Sequence, residues 1–144
     1  MHYILFDLDG TLIDHFTTIY KSVTYAQREL GLPESDYAKV RATVGGSVPI
    51  TLSKLCGDDK VTVAEPLFRK HFEEIIFDDV FTLPGVDWLL ENLKKRGDKV
   101  GVFTNKYASH TRSVIAHLGL DQWFDVIIGT GAVSYTHLTL PTTD

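Results

Sequence analysis

Cysteine is nearly absent: Cys56 stands alone in 144 residues. A single thiol excludes an intrachain disulfide and any zinc site built on several cysteines. Its expected role is that of a small core hydrophobe. A basic cluster is also lacking. The chain carries 14 Lys and Arg against 19 Asp and Glu, a formal net charge of −5. That balance argues against nucleic acid or an anionic membrane as the main partner. A phosphate-bearing ligand would have to be held by local charge and a metal, because the overall field repels it. No stretch approaches the roughly 18 apolar residues of a transmembrane helix. The start, Met1-His2-Tyr3-Ile4-Leu5-Phe6-Asp7, lacks the basic segment of a signal peptide. A cytoplasmic protein is therefore expected. The remaining composition, 44% hydrophobic and 23% charged, is ordinary for a globular domain.

The hydrophobic pattern alternates between two kinds of segment. Tyr3 to Leu8 is a short apolar run broken only by Asp7, which predicts a buried strand of a parallel sheet. Asp-Gly-Thr then ends it. Ile19, Val23, Ala26 and Leu30 recur at helical spacing ahead of Gly31. Tyr37, Val40 and Val44 predict a second helix. Ser47, Pro49, Ile50 and Leu55 predict a third, with Ser47 as cap and Pro49 in the first turn. Thr62-x-x-Glu65 reads as a capping box before Leu67, Phe68, Phe72, Ile75 and Ile76. Residues 16 to 80 thus predict four helices and no strand.

After Leu83-Pro84-Gly85, the stripe Val86, Leu89, Leu90, Leu93 predicts a helix ending at Gly97. Val100 to Thr104 predicts a second strand, Val114, Ile115 and Leu118 a helix closed by Gly119, and Phe124 to Ile128 a third strand. Strands alternating with helices imply an α/β protein with a parallel sheet. The long helical block is best read as an insertion, with hinges near His15 and Pro84. The expected organisation is a core of residues 1–15 and 84–132, incomplete at about three strands, and an inserted four-helix subdomain over 16–83.

In open parallel sheets, ligands bind beyond the carboxyl ends of the strands. Asp7-Leu8-Asp9-Gly10-Thr11 and Thr104-Asn105-Lys106 occupy two such ends. They converge although nearly a hundred residues separate them. Carboxylates at i and i+2 in a strand-end turn can share a divalent cation through oxygen ligands. Such a cation keeps one carboxylate ionised and nucleophilic, and leaves the second for proton transfer. Gly10 permits a tight turn and offers backbone N–H groups to a phosphate. Thr104 adds a hydroxyl donor. Lys106 is either a point charge for phosphate or a solvated surface lysine. The string D-x-D-G-T arises by chance in a chain of this length about once in a thousand, from average residue frequencies. An EF-hand is excluded, because the sixth residue from Asp7 is Leu12 rather than glycine and a strand precedes it. His2, His71, His110 and His117 show no metal-ligand spacing.

Asp7-Leu8-Asp9-Gly10-Thr11-Leu12-Ile13-Asp14 resembles the first signature of haloacid dehalogenase-type phosphatases, and Val102-Phe103-Thr104-Asn105-Lys106 resembles the second. Leu83-Pro84-Gly85-Val86 and Leu118-Gly119-Leu120…Trp123-Phe124-Asp125 are similar to the phosphoglycolate phosphatase-like branch with a helical cap. The resemblance runs from about residue 3 to 130. It implies a Rossmann-like core and a Mg²⁺-dependent phosphomonoester hydrolase of a small phosphorylated metabolite, with phosphoglycolate the first guess. It implies that Asp7 attacks phosphorus and that Asp9 protonates the leaving oxygen and then activates water. The Asp7 carboxylate and Asp9 backbone carbonyl would bind Mg²⁺, and Thr104 and the Asn105 backbone would hold phosphate. The dehalogenases of the superfamily lack the second aspartate, which favours phosphoryl chemistry. His15 stands where such phosphatases often have serine. Gly45-Gly46 resembles the loop that such caps lower onto substrate.

Two further motifs of the family, a lysine after the third strand and a Gly-Asp-x-x-x-Asp acidic loop, are absent from this sequence. From about residue 133, Val133-Ser134-Tyr135-Thr136-His137-Leu138-Thr139-Leu140-Pro141-Thr142 resembles a translated sequencing adapter and is left out of fold reasoning. Without a fourth strand, Ile4, Phe6 and Leu8 would sit on an unpaired edge. The expectation is a weakly stable or inactive polypeptide from a gene that encodes a phosphatase. Its rivals are a sugar-phosphate mutase, a non-catalytic phosphate-binding protein and a gene fragment with no function of its own.

Overall fold

The computed structural model describes residues 1–135. The chain divides into two compact units. One contains Met1–Asp14 and the chain from Phe81 onward, and the other contains His15–Val80.

The first unit is built on a sheet of order β1-β4-β5-β6. Strand β1 spans Tyr3–Phe6, β4 Lys99–Tyr107, β5 Val126–Thr130 and β6 Ala132–Tyr135. The β1–β4 and β4–β5 pairs are parallel, as alternating strands and helices predict. Helix α5 (Val86–Lys95) connects to β4, and α6 (Ala108–His117) connects β4 to β5. Register separates the faces of the sheet. Val100, Val102 and Ile127 lie on a covered face and are buried. Tyr3, Leu5 and Phe103 lie on the alternate pleat and are 76%, 57% and 61% exposed. Among the described residues β1 has one neighbour, β4, so it forms the edge.

Two buried aspartates lock the start of β4. The Asp98 carboxylate accepts from the His2 amide at 2.8 Å and Arg96 Nε at 2.6 Å, next to the Lys99 amide donating to the His2 carbonyl. The Asp125 carboxylate accepts from the Val100 amide and Lys94 Nζ, both at 2.8 Å. Burial pushes both carboxyls up, but the donated hydrogen bonds and neighbouring cations outweigh it and hold them below the usual carboxylate range.

Two elements differ from the sequence expectation. Strands β2 (Ile13–Asp14) and β3 (Phe81–Thr82) form a two-residue antiparallel ribbon, and the Leu83 amide donates to the Leu12 carbonyl. This ribbon keeps residues 81–83 with the first unit, so the chain re-enters it before Pro84. Pairs this short carry no periodic signature. Strand β6 runs antiparallel to β5 through a turn at Thr130-Gly131, where Gly131 has φ 93°. Residues 133–135, set aside in the sequence reading, lie in that strand. The rest of that tail, 136–144, falls outside the described residues.

The second unit is helical: α1 Phe16–Glu29, α2 Tyr37–Thr43, α3 Val48–Cys56 and α4 Val61–Glu74. Val23, Val40, Leu52, Cys56, Phe68 and Phe72 are central to its core, and burial raises the Cys56 thiol pKa. Gln27 is buried yet satisfied. Its amide donates to Ser35 Oγ and the Leu55 carbonyl at 2.9 Å, and its oxygen accepts from the Ser35 amide at 2.8 Å. The expected capping box at Thr62 does not form. A 3₁₀ turn, Asp58–Lys60, runs straight into α4, so Thr62 is already helical. Ser47 is the α3 N-cap residue, without a side-chain bond.

Candidate active site

The acidic loop follows β1 directly. Leu8 is fully buried, and its carbonyl accepts from the amides of Thr11, Leu12 and Ile13 at 3.2, 2.9 and 3.2 Å. One carbonyl receiving three amides winds the chain tightly. It leaves Asp7 exposed and Asp9 half-buried on either side of an apolar anchor. Gly10 has φ 84°, a left-handed conformation that favours glycine. Its amide donates to the Ile13 carbonyl at 2.8 Å. The tight turn expected at Gly10 is therefore present, and the Gly10 amide is engaged within it.

The second motif lies within β4, not beyond it. Phe103 faces Ile128 and Tyr107 faces Thr130, so four steps along β4 answer two along β5. A bulge of this kind bends a strand and re-aims its side chains. Thr104-Asn105-Lys106 occupies it. Thr104 and Lys106 are buried and Asn105 is exposed. Thr104 Oγ1 accepts from the Lys106 amide at 3.1 Å and keeps its own proton to donate. The Asn105 carbonyl accepts from Thr130 Oγ1 at 2.8 Å, which ties the bulge to the end of β5.

The two motifs meet through one ion pair. Lys106 Nζ lies 3.1 Å from Asp9 Oδ1 and 3.0 Å from Oδ2. Lys106 is 7% exposed, so the solvated-lysine alternative is excluded. Sequence reasoning did not anticipate Gly129. A β-carbon there would lie 2.7 Å from Ala108 Cα and 2.8 Å from the Lys106 carbonyl oxygen. The hint was available in Gly129-Thr130-Gly131 at the end of an apolar run, but the close approach exists only across strands.

The donor chemistry fits Mg²⁺. The exposed Asp7 carboxylate and the carbonyls of its loop are hard oxygen donors. Mg²⁺ commonly takes one or two carboxylates and completes its shell with water and substrate phosphate. Asp9 brings its carboxylate already engaged by Lys106. Among the described residues no group of three or more His, Cys, Asp or Glu is placed to hold a metal. His15 is buried in the helical unit, with Nε2 2.8 Å from the Ile76 carbonyl and its ring edge-on to Phe72 at 4.9 Å.

The fold and loops thus define an α/β protein whose polar site crosses the carboxyl ends of two adjacent parallel strands. Residues 4–137 match the family model described as haloacid dehalogenase-like hydrolase, and the chain belongs to that family. It is 35% identical over 131 residues to a phosphoglycolate phosphatase of Aquifex aeolicus, covering 90% of this chain and 61% of that protein. It is 32% identical over 129 residues to a 5'-nucleotidase of Pseudomonas aeruginosa, covering 88% and 58%. A crystal structure of a predicted phosphatase from Clostridium acetobutylicum superposes with a TM-score of 0.83 at 29% identity, covering 89% of this chain and 60% of that one. The chain therefore spans about three-fifths of the length of these relatives. Among the described residues no helix is long and apolar enough to cross a membrane.

Proposed function

We propose that the protein carries the nucleophile-bearing part of a Mg²⁺-dependent phosphomonoester hydrolase acting on a small phosphorylated metabolite, with phosphoglycolate the first substrate to test. The observation that carries this reading is the Lys106–Asp9 pair at 3.0 Å, 97 residues apart in sequence, within a member of this family. It joins the loop after β1, which carries Asp7 and Asp9, to the β4 bulge, which carries Thr104 and Lys106. The phosphatase and nucleotidase relatives support the substrate class.

In the proposed reaction an Asp7 carboxylate oxygen attacks phosphorus as the bond to the leaving oxygen breaks, giving an aspartyl-phosphate. Asp9 gives the departing oxygen its proton, then takes one from the water that hydrolyses the acyl phosphate. Thr104 and the Asn105 backbone hold the phosphoryl oxygens. The Asp7 carboxylate and the Asp9 carbonyl would hold Mg²⁺, which would supply charge neutralisation on those oxygens. The helical unit is read as the cap that selects the substrate.

The test is steady-state hydrolysis of phosphoglycolate and p-nitrophenyl phosphate with Mg²⁺, followed by trapping with beryllium fluoride. Turnover and an adduct, both lost in Asp7→Asn, support the reading. No turnover and no adduct sinks it in favour of a non-catalytic chain. A phosphosugar isomerised rather than hydrolysed moves the assignment to a mutase.

A further inference from the structure

We propose that Lys106 is a positioning residue, whose ammonium holds the Asp9 carboxylate in the orientation that proton transfer requires. The inference rests on the reading of Asp9 as acid and base. Both Asp9 oxygens lie within 3.1 Å of one nitrogen, which tethers the carboxylate to the β4 bulge and restricts where it can point. Each oxygen keeps a second lone pair for a proton or water.

Three features commit Lys106 to this contact. Its side chain is 5% exposed against 16% for Asp9, and lysine is seldom buried without a partner. The β4 bulge re-aims the chain at this residue. Gly129 lets the Lys106–Ala108 backbone settle against β5. Through this contact Lys106 acts on the reaction by way of Asp9.

Leaving-group dependence provides the test. Lys106→Met should cut kcat on phosphoglycolate, an alkyl ester needing a proton on its leaving oxygen, by about 10²-fold. It should change kcat on p-nitrophenyl phosphate, whose leaving group needs none, by less than about threefold. Lys106→Arg should restore most of the alkyl rate. Equal loss on both esters points to a structural role only. A raised KM and weaker inhibition by inorganic phosphate, with the kcat ratio unchanged, points to a phosphate ligand. Either result overturns the proposal.

If the unaltered chain hydrolyses neither ester, the functional reading fails, and Mn²⁺ titration followed by electron paramagnetic resonance judges the positioning claim. Lys106→Met should then bind Mn²⁺ about tenfold more tightly, because a released Asp9 carboxylate adds an oxygen ligand. The gain should vanish in Asp9→Asn/Lys106→Met. No gain, or a gain that survives the loss of Asp9, overturns the claim.

Discussion

Gly129 sits against the backbone of Lys106 so closely that a β-carbon would lie 2.8 Å from the Lys106 carbonyl oxygen. The end of β5 is thus a mould for the β4 bulge. Gly129→Ala should force the bulge outward and destabilise the fold by about 1–3 kcal/mol, read as a lower midpoint in urea. It should also lower turnover on any ester that needs Asp9, because Lys106 moves with the bulge.

Asp125 joins the Val100 amide and Lys94 Nζ at 2.8 Å each. Its carboxyl is held below the usual range, so its stabilising contribution is complete above the unfolded value near 3.9. The contribution is lost as pH falls through the lower folded value. Asp125→Asn should be less stable at neutral pH by about 2 kcal/mol. The deficit against the parent chain should shrink below pH 4. Thermal melts across pH 3–7 check this, and a deficit that is constant with pH would contradict it.

Asp7 is exposed and outside the core, so Asp7→Asn should leave the melting temperature within about 2 °C, as expected for surface changes. Hydrolysis should fall by about 10³-fold or more, as when a covalent nucleophile is removed. Parallel calorimetry and kinetics separate the two effects.

His15 Nε2 bonds the Ile76 carbonyl inside the helical unit. His15→Leu keeps the bulk but orphans that carbonyl, at a cost of about 1–3 kcal/mol. Chemical denaturation of the variant measures the loss. Unchanged stability would show that this bond carries no net stabilisation.

Among the described residues, Tyr3 and Leu5 project from an edge strand and are exposed together with Phe103 on one face of the sheet. Edges of this kind pair with other chains. The protein should self-associate with rising concentration, and Leu5→Lys should shift sedimentation toward monomer without lowering stability.

The chain's punctuation and its alternation of strand and helix are legible in the sequence because each is a local property. Gly31, Gly97 and Gly119 close helices whose apolar residues recur every three or four positions. The apolar runs from Tyr3 to Leu8 and from Val100 to Thr104 hold strands for the same reason, although β1 stops at Phe6 and is partly exposed where a buried strand is expected, and β4 runs on to Tyr107. Both motifs could be placed at strand ends on that ground. What tertiary structure alone decides is how they meet. The partner of Lys106, the bulge that aims it and the glycine that admits the bulge depend on register between strands distant in sequence. The commitment of the Gly10 amide to Ile13, and the ribbon between residues 13–14 and 81–82, depend on backbone pairing to which side-chain pattern is blind. Residue types in the order Asp-x-Asp-Gly-Thr and Thr-Asn-Lys determine which chemical groups are present. The sheet decides which of them touch, because backbone hydrogen bonds set its register.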